Sequence, residues 1–163
     1  MPIKGSPSAK KPPAIPSNLW NLGNAAQNVN TLSDRLTDQV GAIENALNNL
    51  NLGVRATVDV EESPVDDLVV VILRLGYDKV GGKWGFVIDQ FVASDPEDTY
   101  VKWAFKDAPR ELRLKVVEWI PKLLDELTNT SLKLASDINE KISLAQGLAS
   151  LLPQPTSPSG SKK

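Results

Sequence analysis

The side chains of this sequence that can do chemistry are its acids and lysines, because the 163 residues include neither histidine nor cysteine. That absence excludes a serine–histidine or cysteine–histidine pair, and it excludes zinc sites built from those two residue types. Carboxylates gather in two short acidic segments, at 61–67 and 95–98. Oxygen ligands suit calcium or magnesium, but neither segment has the alternating spacing of a calcium-binding loop. We interpret both as solvated turns and predict no metal and no cofactor.

Catalysis by carboxylates alone is the remaining route to an enzyme, as in glycoside hydrolysis. The acids of this chain, however, cluster on predicted turns and on the wet faces of predicted strands. No glycine motif suits a phosphate group, because Gly81 and Gly82 fit a hairpin turn and the glycines of the helical segments are isolated. The sequence therefore predicts a protein that is not an enzyme and takes no small-molecule substrate. A carboxylate-based enzyme is the third interpretation.

Lysines and tryptophans lie close together in the middle of the chain, a combination that sheet-based nucleic-acid binders use. The residues that would form such a face are Lys79, Lys83, Trp84, Lys102 and Trp103. Large aromatic side chains serve more often as buried apolar area. The formal charge of −2 also hides basic ends and an acidic body, whereas phosphate binding needs clustered cations on the folded part. Nucleic-acid binding, helped by the basic tails, is therefore the alternative function.

The elements that must position these residues begin with a long helix. Apolar residues recur every three or four positions from Leu22 to Leu50, which predicts a helix of about 30 residues, roughly 45 Å long. Gly53 supplies its C-terminal stop. A second apolar-periodic stretch predicts a final helix from about Pro109 to Leu152, which Pro121 must kink or interrupt because proline lacks a backbone donor.

Four strands are predicted between the two helices. Apolar and polar residues alternate from Val54 to Glu61, and the apolar run at 68–75 predicts a central strand. Closing a tight turn at Gly81-Gly82 specifies four cross-strand pairs: Tyr77–Phe86, Leu75–Ile88, Lys79–Trp84 and Arg74–Asp89. The predicted fold is α+β, with an N-terminal long helix, a four-stranded antiparallel meander and a long Pro-kinked C-terminal helix (αββββα).

The ends of the chain differ in composition from the rest. Proline, serine and lysine dominate residues 1–16 and 153–163, which predicts disordered tails around a single domain at 17–152. The N-terminal segment lacks the apolar stretch of a secretory signal, and no window approaches the roughly 18 apolar residues of a membrane span. We therefore expect a cytoplasmic protein without membrane association.

The lengths of the predicted helices point to assembly. Strands of eight to ten residues span only about 30 Å, so a helix of roughly 45 Å overhangs the sheet and exposes leucine and isoleucine unless another chain covers them. The residues predicted to dock are Leu36, Val40, Ile43 and Leu47 of the first helix, and Ile138 and Ile142 of the last. The predicted function is a non-enzymatic scaffold, adaptor or accessory subunit, in a homo-oligomer or with a protein partner.

Overall fold

The main elements of the computed structural model are two long helices and one antiparallel sheet, within described residues 17–64 and 69–151. Along the chain the elements are α1 (Ser17–Asn49), β1 (Ala56–Pro64), β2 (Val70–Val80), β3 (Lys83–Val92), α2 (Pro96–Thr99), β4 (Val101–Ala104), a 3₁₀ turn (Phe105–Asp107), α3 (Arg110–Val117) and α4 (Ile120–Ser150). The sheet order is β1-β2-β3-β4, and every neighbouring pair is antiparallel. The predicted α+β meander is confirmed.

The chain divides into two compact units, and the boundary lies inside α1, between Gly41 and Ala42. Of the described residues, the first unit holds only 17–41, all helical, and the second holds the end of α1 with the sheet, α3 and α4. The predicted tails, 1–16 and 153–163, lie outside the described residues. The single domain predicted for 17–152 stays a prediction.

The β2–β3 hairpin has the predicted register. Gly81 and Gly82 form its turn with φ values of 59° and 83°, a region that favours glycine because it has no Cβ. The four predicted cross-strand pairs are all present: Tyr77–Phe86, Leu75–Ile88, Lys79–Trp84 and Arg74–Asp89. The register is confirmed, but the Arg74 guanidinium Nε donates its hydrogen bond to Asp59 on β1, at 2.6 Å, rather than to the residue opposite it on β3.

The hydrophobic core forms where the start of α4 packs against β1 and β2. Leu75 of β2 and Leu123 of α4 are completely buried, and Tyr77 and Leu127 are 2% exposed. Burying one such side chain stabilises a fold by about 1.5–3 kcal/mol. The first two turns of α4 are therefore held by core packing rather than by intrinsic helix propensity.

The predicted final helix is interrupted, as the proline at 121 requires. α3 ends at Val117, α4 begins at Ile120, and Pro121 lies in the first turn of α4. Proline is tolerated there because the amide it lacks would have no partner within the helix. The prediction of two acidic turns is corrected in part: Glu61 and Glu62 lie within β1, and the segment 95–98 overlaps the short helix α2.

Candidate functional site

An apolar stripe continues along α4 beyond its buried start. We call it the α4 stripe, and it consists of Leu134, Ile138, Ile142, Ala145 and Leu148. Steps of three and four residues place all five on the side of the helix that also carries Leu123 and Leu127. Those two leucines are 0% and 2% exposed, whereas Ile138 and Ile142 are 50% and 47% exposed. One continuous face of α4 is therefore core at one end and solvent-exposed at the other.

Further features make this surface broad. The leucines at positions 144 and 151, on the side of α4 that carries Asp137, are also exposed. Four residues of the stripe line an open depression of about 400 Å³, with Asp137 and Lys141 at its edge. Soluble monomers rarely expose large contiguous apolar surface. The patch is not a membrane span, because no helix in the described ranges has the length and apolar character to cross a bilayer.

The first part of α1 also presents apolar residues to solvent. They are Leu19, Trp20, Leu22, Val29 and Leu32. Among the residues predicted to dock through α1, Val40 and Leu47 are buried, Leu36 is half-buried and Ile43 is 37% exposed. The accessible members of the predicted set are thus Ile43 on α1 and both isoleucines of α4.

A groove of about 650 Å³ lies between the last turns of α1 and the uncovered edge of β3. The ladder between β3 and β4 starts only at Val87, so the preceding backbone of β3 pairs with β2 but has no strand on its other side. Two side chains of α1 take its place. Glu44 Oε1 accepts a hydrogen bond from the Phe86 N–H at 2.6 Å, and Asn48 Nδ2 donates one to the Trp84 carbonyl at 3.2 Å. This end of α1 therefore protects an edge that could otherwise pair with another strand.

The groove is electrically balanced. Its charged lining residues are Glu44, Lys83, Lys106 and Asp107. Two cations and two anions give no excess positive charge to attract phosphate. The Trp84 ring, which also lines the groove, stacks on the Tyr77 ring with centroids 5.4 Å apart. The groove therefore combines an aromatic wall with a half-buried carboxylate, and nothing in its charge favours nucleic acid.

Glu44→Gln is expected to remove a pH-dependent part of the stability. Burial raises the pKa of Glu44 above its ordinary 4.5, and the Phe86 N–H and Lys106 only partly oppose that rise. A carboxyl group with a raised pKa stabilises the fold fully below about pH 4.5, and this contribution is lost as pH rises through the folded-state pKa. Urea unfolding measures the free energy of unfolding of both proteins. The value for wild type minus the value for Glu44→Gln should fall as pH rises. A difference that does not change with pH would contradict this assignment.

The sheet separates the residues predicted to form a nucleic-acid face. The ladder places Lys79, Trp84 and Trp103 on one face and Lys102 on the opposite face. The Lys79 ammonium lies 5.3 Å from the centre of the Trp84 ring, as predicted. The Lys102 ammonium is instead bound to a buried carboxylate, and Lys83 lines the groove. The five residues do not make one continuous surface.

The face that carries Lys102 holds two buried acids, Asp78 and Asp89. Asp78 forms salt bridges with Arg55, at 2.8 Å, and with Lys102. Oδ1 of Asp89 has no hydrogen-bond partner among the described residues. No group of three acids within 17–64 and 69–151 is placed to hold a metal ion, and Asp66 and Asp67 of the predicted acidic turn lie outside these ranges.

Comparisons with known proteins find no significant match to this chain, whether with family models, with curated proteins or with solved structures.

Sequence reasoning missed three residues that shape these surfaces. Asp137 and Lys141 border the α4 stripe and could have been found from their four-residue spacing along its edge. Glu44 reaches β3 across 42 positions of sequence, and no local pattern indicates that contact.

Proposed function

We propose that this protein is a non-enzymatic scaffold or accessory subunit that assembles with protein through its long helices, chiefly through the α4 stripe. The observation that carries the proposal is the exposure of Leu134, Ile138, Ile142 and Leu148 along one face of α4. Covering each of these side chains would contribute up to about 1.5–3 kcal/mol. Binding to a protein surface that buries this face is therefore favoured by a large hydrophobic contribution to the free energy.

The stability of the helix itself supports the same proposal. Every residue from 132 to 151 is exposed, so this half of α4 has no core packing to hold it. Most of the stability of helices in proteins comes from packing of an apolar face rather than from intrinsic propensity. A partner that covers the α4 stripe would supply the missing packing.

The double variant I138D/I142D tests the proposal. It places two charges in the α4 stripe, and S136D/S143D is the matched control because it adds the same two charges on the far side of the same exposed helix. Tagged wild type and both variants are recovered from native lysate with and without nuclease, and the masses of the purified proteins are measured. Circular dichroism confirms that each variant is folded.

We expect I138D/I142D to lose protein partners or copies that wild type and S136D/S143D retain after nuclease treatment. Identical recovery and identical mass for all three proteins would contradict the proposal. Partners that disappear on nuclease treatment alone, from all three proteins, would instead favour the nucleic-acid alternative.

A further inference from the structure

We propose that the occupant of the α4 stripe is the same stripe of a second copy of this chain, in antiparallel orientation. The pair would have two-fold symmetry with its centre near residue 139. This inference rests on the proposed function and names the partner that the α4 stripe takes.

Charge complementarity carries the argument. Asp137 and Lys141 lie along the same edge of the depression, and neither forms a salt bridge with another residue in the described part of the chain. In a two-fold symmetric pair, a contact from one position to another is repeated in reverse. An antiparallel pair centred near residue 139 therefore brings Asp137 of each copy to Lys141 of the other. A parallel two-fold pair would place this edge of the two copies on opposite sides of the seam, so Asp137 and Lys141 would not meet.

The apolar residues agree with the same register. In a pair centred between residues 139 and 140, Leu134 of one copy faces Ala145 of the other, so that a large side chain meets a small one. Ile138 then lies within about 1.5 Å, the rise of one residue, of the level of Ile142 of the other copy. Interdigitation of this kind is how helices pack at close distance. The exposed half of α4 carries Lys133 and Lys141 against Asp137 and Glu140, which leaves no net charge to drive two copies apart.

The ends of the chain are poor alternatives as occupants. Residues 1–16 contain only Met1, Ile3 and Ile15 as large apolar side chains, and residues 152–163 contain only Leu152. Neither stretch has the apolar residues needed to cover a five-residue stripe. A second copy supplies a stripe of matching length and matching charge.

Charge reversal tests the pairing. D137K and K141E each replace two attractive contacts with two like-charge contacts, and each is expected to weaken dimerisation about tenfold in sedimentation equilibrium. D137K/K141E restores both contacts in reverse and should dimerise like wild type. Mixing the two single variants should give a heterodimer tighter than either homodimer. In the heterodimer, the two positive residues that D137K carries at 137 and 141 meet the two negative residues that K141E carries at the same positions.

Disulfide cross-linking tests the orientation of the two helices separately, because the natural chain has no cysteine that could interfere. L134C mixed with A145C should form a disulfide-linked heterodimer on mild oxidation, whereas a parallel pair would link each variant to itself. Single charge variants that dimerise as tightly as wild type, or links only between like positions, would overturn the antiparallel pair. A monomeric wild type at high concentration would overturn the second copy as occupant. The proposed function would survive that result if I138D/I142D still lost another protein partner that S136D/S143D kept.

Discussion

Leu123→Ala is expected to lower the free energy of unfolding by about 2–5 kcal/mol, because it removes a fully buried side chain and leaves a cavity in the core. Ile138→Ala, on the same face of the same helix, is expected to change it by less than about 0.5 kcal/mol. Ile138 is half exposed, and alanine has the higher helix propensity. The two substitutions therefore separate the folded core from the surface left for a partner.

Urea unfolding at low protein concentration measures both effects, since dilution keeps association from adding to stability. Sedimentation of the same two proteins should show the reverse order for the effect on assembly. Ile138→Ala should weaken assembly, while any residual folded Leu123→Ala should assemble normally. Equal losses of stability in the two variants would mean that Ile138 is packed within the monomer, and the α4 stripe would then be part of the core.

The β2–β3 hairpin was predictable in detail from sequence. Two adjacent glycines determine the length of the loop, and a two-residue loop determines every pair that follows it. The register that the loop imposes also agrees with the alternation of apolar and polar residues, because it pairs Tyr77 with Phe86 and Leu75 with Ile88. Local chemistry alone was sufficient because the partner strands are adjacent in sequence.

The pairing of Arg74 was not predictable in the same way. Its hydrogen bond goes to Asp59, which depends on the register of β1 against β2. That register shifts between Asp59 and Glu61, where the strand has an irregularity, and nothing in the alternation of residues marks the shift. The sequence placed the correct charges near one another but did not identify which of them would meet.

The candidate site, too, was predictable from sequence only in part. Ile138 and Ile142, which the spacing of apolar residues predicted to be exposed, are 50% and 47% exposed. Val40 and Leu47 have the same spacing but are buried. Periodicity identifies the apolar side of a helix, yet it cannot determine how far the core extends along that side.

Asp78→Asn is expected to destabilise the protein at neutral pH and Asp89→Asn is not, although both remove a charge from the same face of the sheet. Asp78 and Asp89 are only 6% and 4% exposed. Burial pushes the pKa of Asp78 upward, but hydrogen bonds from Lys102, the Lys79 N–H and Arg55 outweigh it and hold that pKa below its ordinary 3.8. Burial dominates at Asp89 and raises its pKa above 3.8 despite the hydrogen bond from Tyr100.

The way in which each stability contribution changes with pH follows from proton linkage. The lowered pKa of Asp78 means that its contribution is present above about pH 3.8 and is lost as pH falls through the folded-state pKa. The contribution of Asp89 is present below about pH 3.8 and is lost as pH rises through its folded-state pKa. At pH 7 we therefore expect Asp78→Asn to destabilise the protein by about 2 kcal/mol, because it removes the anion that two cations share.

Asp89→Asn should be neutral at pH 7 or stabilising by up to about 1 kcal/mol, because the amide is cheaper to bury than a carboxylate with an unpaired oxygen. Urea unfolding of wild type and both variants at about pH 7 and again near pH 3 gives the comparison. The deficit of Asp78→Asn should shrink in acid, and any gain of Asp89→Asn should disappear there. If both variants were destabilised equally at neutral pH, Asp89 would have to be a stabilising anion like Asp78, and its unpaired oxygen would need a partner in solution.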